Sequence, residues 1–571
     1  MKKSLIVVAL LLAGCGGGGS SESTAPTVSE QVDQDKPTVT EPAPVTEEQF
    51  FFIEKSEESN ITYTHDFGLD RDATISEAFV GGIAAGDIDN DGDLDIALIG
   101  EHLVLLTNDG KGQFTDVSQA MSVSNISGML TGLSFGDVDA DGFIDLFVGG
   151  VSGQAPRLLK NVNGQKFEDI TQQVGLTVSK DNTVSASFAD LDGDSDLDII
   201  LSHWGEAIVD GVSTEHIWIN NIDAGTLTFT DKSLEYGLNK IYQDQVNGLD
   251  SSYENVAKLS TDTSFTPLVV DIDQDNDQDI LMVSDFGGTK VLIQNNGKFT
   301  NMSDSNINDQ SGMGSALYDF DFDGDLDWFV TSIFRKKRDD HQPNFSLDWH
   351  GNKFYVNDGS GQFVDNAVEL GVENGGWAWA TCFADFNHDG NIDIFQSNGW
   401  GVEDKTFNQY LTDNYKLYLG STSGKYQEHA FKSRITSIKE ERENWQGRGV
   451  VCNDLDGDGD IDILVSRNQQ SIQYFENQLQ SSNQHLRVSL RQGGLNRFAL
   501  GSTVIVEFES GKVRSKFLSG NSNYVSQSAP IAHITVPNDD SIKSVKIKWP
   551  DNSLEIVTDF SLNTINYVEK E

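Results

Sequence analysis

Apolar residues in this chain come in short runs set on either side of acidic turns. Ile96-Ala97-Leu98-Ile99, Ile199-Ile200-Leu201 and Ile463-Leu464-Val465 each start just after a carboxylate cluster. The runs before the clusters are diluted with small residues, as in Phe79-Val80-Gly81-Gly82-Ile83-Ala84 and Met313-Gly314-Ser315-Ala316-Leu317. Short apolar runs bounded by turn residues read as buried strands. Small residues suit innermost strands crowded around an axis. A third kind of strand follows, an Asn/Gly turn and then aromatic-x-acidic: Phe114-Thr115-Asp116, Phe167-Glu168-Asp169, Phe229-Thr230-Asp231 and Phe363-Val364-Asp365. Looser copies are Phe299-Thr300-Asn301 and Tyr426-Gln427-Glu428.

The acidic turn repeats in one frame, D-x-D-x-D-G-D-x-D, whose odd positions carry the oxygens. In the first copy these are Asp87, Asp89, Asp91, Asp93 and Asp95, with Gly92 at the sharp turn. The second has Asp137, Asp139, Asp141, Phe143 and Asp145, and the third Asp190, Asp192, Asp194, Asp196 and Asp198. Then come Asp271, Asp273, Asp275, Asp277 and Asp279, and Asp319, Asp321, Asp323, Asp325 and Asp327. The sixth reads Asp385, Asn387, Asp389, Asn391 and Asp393, and the seventh Asp454, Asp456, Asp458, Asp460 and Asp462. Carboxylates so spaced converge when the loop curls, and hard oxygens suit Ca²⁺. Up to seven structural calcium ions are therefore expected. Phe143 at position 7 implies ligation there through the backbone carbonyl. An EF-hand is excluded, because position 12 is never the bidentate Glu that motif needs. It is Leu98, Val148, Leu201, Met282, Val330, Gln396 or Val465.

Six loops are followed by their aromatic strand, and the seventh is not. The missing copy stands at the other end of the chain, as Phe52-Ile53-Glu54. The fold class predicted is all-β: a seven-bladed β-propeller closed by an N-terminal strand, then a small C-terminal β domain. Closure removes open strand edges. In that second domain Thr503-Val504-Ile505-Val506-Glu507-Phe508 alternates as a strand should. First-Asp spacings of 50, 53, 81, 48, 66 and 69 leave insertions near 239–262, 333–352 and 400–414.

Composition sharpens this. A net charge of −50 over 571 residues argues against nucleic acid or an anionic membrane surface as partner. Lys2 and Lys3, then Leu5 to Leu12, form a signal peptide over residues 1–14. Leu12-Ala13-Gly14-Cys15 resembles the lipobox of bacterial lipoproteins, which implies cleavage before Cys15 and lipidation of it. Residues 15–48, the lipidated Cys and a Gly/Ser/Thr/Pro/acidic linker, are expected to be disordered. The propeller is assigned to 49–480 and the β domain to 481–571. The chain is expected to be exported and held to a membrane by lipid alone. The outer membrane is favoured in a two-membrane cell, because residue 16 is Gly rather than Asp.

The loops are similar to those of FG-GAP/VCBS repeats, the blade type of integrin α-subunit propellers. The order of parts resembles the cartilage acidic protein family and its bacterial relatives, which end in an ASPIC/UnbV domain. The C-terminal stretches that carry this are Asn496-Arg497-Phe498-Ala499-Leu500-Gly501-Ser502, then Gly520, Tyr524 and Ser526-Gln527, then Val545-Lys546-Ile547-Lys548-Trp549-Pro550-Asp551. Asn552 departs from the family's Gly, and Ile534-Thr535-Val536-Pro537 from its Gly-Leu-Gly turn.

Other candidates are weaker. Gly132-Leu133-Ser134-Phe135-Gly136 fits G-x-S-x-G but sits on a predicted strand, where that motif needs a strand-to-helix turn. His341 and His350 share an insertion with Asp339, Asp340 and Asp348, more in the manner of a solvated loop than of a second site. Arg335, Lys336, Lys337 and Arg338 are basic on an acidic body. Trp377, Trp379, Trp400 and Trp445 pack between blades or form an aromatic ligand face. Asn496, Arg497, Ser526 and Gln527 serve as turn residues or as a polar site. Cys382 and Cys452 lie at opposite parity before their loops, which points them to opposite faces and leaves their pairing open. The function expected is a non-catalytic, calcium-binding, lipid-anchored scaffold for adhesion to an unknown protein or glycan. The alternative is a propeller enzyme acting on extracellular polysaccharide at the channel mouth.

Overall fold

Each acidic loop joins the first two strands of a four-stranded antiparallel unit, and seven such units follow one another in the computed structural model, the second to fourth joined edge to edge in one twelve-stranded sheet. The structure describes residues 52–65, 76–247, 260–335, 349–400, 410, 413–430 and 446–570. The signal peptide, Cys15, the linker and Trp445 lie outside them. So do Lys336, Lys337, Arg338, Asp339, Asp340, His341 and Asp348. The first sheet shows the plan: inner strand Ile83–Gly86, loop, then Asp95–Ile99, Leu103–Asn108 and Phe114–Asp116. Inner strands are small-residue-rich because they crowd one another. A Cβ on Gly132 would come within 2.4 Å of the Val184 carbonyl oxygen of the next blade.

Phe52–Glu54 pairs antiparallel with Gln473–Asn477, in the register Phe52 to Asn477. It forms the outer strand of the seventh sheet, beside Asp462–Arg467 and Gly447–Asn453. Phe52 is fully buried and meets Phe386 of the sixth blade edge-on. The core is a series of apolar layers between neighbouring sheets. Ile83, Leu98 and Phe114 of the first blade, for example, pack with Val451, Leu464 and Tyr474 of the seventh.

The C-terminal part is two further sheets around Trp549, Val504 and Leu486. Gln484–Gln492 pairs with Ala532–Val536 and, in parallel, with Ile565–Lys570. Ser502–Phe508 pairs with Val513–Leu518 and Ile542–Lys548, and the latter with Leu554–Val557. No helix among the described residues is long and apolar enough to cross a membrane.

Candidate metal centres

Seven loops of differing sequence take one backbone path. Position 4 has positive φ in every copy: Asn90, Ala140, Gly193, Gln274, Phe322, His388 and Gly457. Position 6 does too, from Gly459 at 104° to Ser195 and Asn276 at 77°. A left-handed Phe or Ala is strained on its own and persists where its surroundings over-determine it. What over-determines it here is the carboxylates. The first Asp accepts N–H groups from the far side of the turn, as Asp137 does from Asp141 at 3.1 Å and Gly142 at 3.0 Å. The fifth-position Asp accepts from the seventh residue, as Asp91 does from Asp93 at 3.0 Å. Position 7 side chains turn outward: Asp277 and Asp460 accept N–H groups of Asn296 and Leu479, beyond their own loops.

The ninth-position Asp is the anchor. Asp95, Asp145, Asp198, Asp279, Asp327, Asp393 and Asp462 are all at most 1% exposed. One oxygen of each accepts the N–H of loop residue 2, and the other that of the residue ending the third strand. For Asp95 these are Ile88 and Asn108, both at 2.9 Å. That third-strand residue has a second task. Asn161 donates its amide to the carbonyl of Ile88 in the preceding blade's loop at 2.8 Å, and Asn220 to Val138 at 2.9 Å. Gln294, Asn357 and Asn477 reach Leu191, Ile272 and Phe386 in the same way, and Asn108 links the first blade to Leu455 of the seventh. The sixth blade has Gly420 there, which bonds Asp393 at 2.8 Å but carries no amide side chain. The sequence shows these residues only as part of an Asn/Gly turn, without the partner that gives them a role.

The electrostatics of the loops favour a cation. Oxygens of Asp87, Asp89 and Asp95 lie within 4.8 Å of one another, as do those of Asp137, Asp139 and Asp145, of Asp190, Asp192 and Asp194, and of Asp271, Asp273 and Asp279. Asp223, which the loop frame does not include, joins Asp194 and Asp196 in another such group. Buried Oδ1 atoms of Asp89, Asp139, Asp271, Asp319 and Asp325 have no hydrogen-bond partner. Burial, reinforced by neighbouring carboxylates, pushes Asp95 and Asp327 up to about 8 and Asp279 to about 7. In the second loop Lys160 contacts Asp139, and Asp141 at 3.0 Å. Hard, crowded, incompletely satisfied oxygens fit a metal ion of the hard class.

The C-terminal domain covers this loop end with basic residues. Arg487 pairs with Asp454 of the seventh loop. Arg514 donates to the Gly390 carbonyl of the sixth at 3.0 Å and stacks on Phe322 of the fifth. Ser515 donates to Asp319 at 3.1 Å. Arg497 lies against Asp137, partly offsetting the burial that pushes that carboxyl up to about 6. A cavity of about 330 Å³ remains under the domain, bordered by Asp385, Asp454, Arg514, Lys516 and the two cysteines.

From this domain residues 520–529 enter the ring of inner strands. Ser526–Gln527 runs parallel to Ile83–Gly86. The Gln527 Oε1 accepts from Phe135 N–H at 2.7 Å, and its amide donates to the Phe135 carbonyl at 3.2 Å. Ser526 accepts from Val450 N–H at 2.8 Å, and Asn521 exchanges bonds with Val269 at 2.9 and 3.0 Å. Tyr524 reaches through to donate to the Phe79 carbonyl at 2.8 Å. So Ser526 and Gln527 line no polar site in the C-terminal domain; they plug the propeller axis. Asn496 is turn chemistry, bonded on both sides to Leu500.

Trp377, Trp379 and Trp400 are only 6%, 1% and 6% exposed and stack on one another, so they offer no open aromatic face. They close the axis at the end remote from the loops, with Phe79 and with Arg448, whose guanidinium lies 4.2 Å over Trp379. Cys382 and Cys452 form a disulfide with Cα atoms 6.5 Å apart. The parity argument against it fails because adjacent blades meet face to face, so residues of opposite parity look at each other. Ser134 is 1% exposed and donates to the Ala186 carbonyl at 2.7 Å, as a strand residue rather than a nucleophile. His350 pairs in a short bridge with Phe334. Sequence reasoning missed a His-Asp pair, His216 and Asp262 at 3.0 Å, brought together by third-blade and fourth-blade strands and buried.

Residues 492–571 match the family described as ASPIC and UnbV. Residues 87–148, 137–201, 271–330 and 344–395 match the FG-GAP-like repeat. The chain is similar to cartilage acidic protein 1 of Xenopus tropicalis, 22% identical over 83% of this chain and 70% of that one. For the Mus musculus protein of that name the figures are 23%, 83% and 71%. Among solved structures it is similar to rhamnogalacturonan lyase YesW, 11% identical over 75% of each chain, with a TM-score of 0.36.

Proposed function

Because the chain belongs to the cartilage acidic protein-like family, in which FG-GAP-like repeats precede an ASPIC and UnbV domain, we propose that it is a calcium-stabilised, non-catalytic scaffold. It is exported, held to the membrane by lipid on Cys15, and binds a protein or glycan. The observation that carries the calcium reading is the set of buried, unpartnered carboxylate oxygens in loops that share one conformation. Positions 1, 3, 5 and 9 would supply side-chain oxygens and position 7 its carbonyl. The ion would neutralise the cluster and hold the turn. At millimolar calcium and dissociation constants of about 10⁻⁴–10⁻³ M, each site adds roughly 0.4–1.4 kcal/mol by mass action.

In this reading the partner surface is the end remote from the loops, because the C-terminal domain covers the loop end. Incubation of the calcium-loaded chain with arrayed glycans and with intact cells tests the scaffold reading. Calcium-dependent retention with no change in the ligand supports it; release of cleaved saccharide would instead establish the polysaccharide enzyme.

A further inference from the structure

Three imidazoles from separate parts of the chain meet where the sixth and seventh loops touch the C-terminal domain. His388 is position 4 of the sixth loop, His485 lies in Gln484–Gln492, and His533 in Ala532–Val536. Their ring centroids are 5.2 Å apart for His485 and His533, 5.3 Å for His388 and His533, and 5.8 Å for His388 and His485. His388 and His485 are 5% and 6% exposed. Each ring keeps one buried nitrogen without a hydrogen-bond partner: Nε2 of His388, Nε2 of His485 and Nδ1 of His533. An unpaired buried polar group is costly, so three together call for a common partner.

The tautomer of His533 points the same way. Its Nε2 lies 2.7 Å from the Gly459 carbonyl oxygen, so that nitrogen carries the proton and donates it. Nδ1 is then the lone pair, buried and without a partner. A metal-ligating histidine typically donates its other N–H to a carbonyl in this manner. The spacing agrees as well. Three imidazoles on one tetrahedral ion, at metal–nitrogen distances of about 2.0–2.1 Å, set their ring centroids roughly 5 Å apart. Gly459 makes the room, since a Cβ there would strike the His485 ring at 2.0 Å. Nitrogen ligands select a borderline divalent ion over calcium, so this centre differs in kind from the oxygen loops and does not rest on their reading.

We propose that His388, His485 and His533 form a site for one divalent transition-metal ion of the zinc class, which fastens the C-terminal domain to the sixth and seventh loops. The site has three protein ligands and one open position.

The test uses the whole chain without a histidine tag, in excess calcium, titrated with Zn²⁺ and with Co²⁺. Elemental analysis after gel filtration is expected to find about one zinc per chain, and Co²⁺ to give the intense visible spectrum of a tetrahedral nitrogen site. His485→Gln and His533→Gln should each weaken binding at least tenfold while the calcium-dependent melting stays as in the parent. No retained zinc, equal retention in both variants, or only the weak octahedral cobalt spectrum that oxygen loops would give overturns the proposal. The cobalt spectrum of the unmodified chain decides the matter if a variant fails to fold.

Discussion

At the loop end of the propeller, seven turns of different sequence share one backbone, one anchoring Asp and, in six blades, one amide that reaches into the loop of the preceding blade. At the other end a smaller device repeats: the inner strands of five blades shift register as they begin, at Leu130/Leu133, Thr183/Ala186, Ser264/Thr266, Ala378/Thr381 and Gly447/Val450. The axis is closed there by a single aromatic stack of Trp377, Trp379, Trp400 and Phe79, with Arg448 buried against it. The first end has a job done seven times, and each copy carries the same carboxylates because the same charge must be held in each. The closure of the axis at the second end is made once, from residues of several blades.

The largest break in this comparison is at the seam. Deleting residues 49–61 removes Phe52–Glu54 and leaves Gln473–Asn477 as an open edge. The expected outcome in a melting experiment is loss of the folded state or a fall of more than about 10 °C. Deleting residues 16–45 should leave the melting temperature where it was.

A smaller break concerns the amide relay. Asn220→Ala leaves the carbonyls of Val138 and Leu197 without their donor. Two orphaned groups at about 1–3 kcal/mol each predict a loss of about 2–6 kcal/mol in denaturant unfolding. The sixth blade, where Gly420 provides no amide side chain, cannot be weakened in this way, so its junction with the fifth should exchange amide hydrogen fastest.

How much of this was legible in the sequence follows from distance along the chain. The loops were readable because all their ligand residues fall within one turn, and the closing strand because a counted repeat lacked one copy. The role of Asn161 or Asn220 was not, since its partner sits in another blade. Nor was the plug: Gln527 bonds Phe135, 392 residues away, and Ser-Gln has no signature outside that contact. Cys382 and Cys452 misled because parity was applied as if within one sheet. The three histidines, on a loop and two strands of another domain, have no common spacing.

The smallest expected effect sharpens the differences among the loops. The sixth has Asn387 at position 3, where the other loops have Asp, so its side-chain ligand charge is lower. Asn387→Asp should raise calcium affinity at one site by up to about tenfold, since charge count tunes such sites. Isothermal titration showing no gain at any site would count against position 3 as a ligand.

The central claim, that the loops are built around a cation, is tested most directly by melting temperature against pH with calcium and with chelator. Without metal, burial and neighbouring carboxylates hold Asp95 and Asp327 up to about 8, against about 3.9 in the unfolded chain. The folded state then binds more protons than the unfolded one, so stability is greatest at low pH and is lost as pH rises from about 4 to 8. With millimolar calcium the sign reverses, because protons compete with the ion for the same oxygens. The account predicts curves that diverge steadily toward pH 8, with the calcium form melting far higher there. Curves that overlay across this range would contradict it.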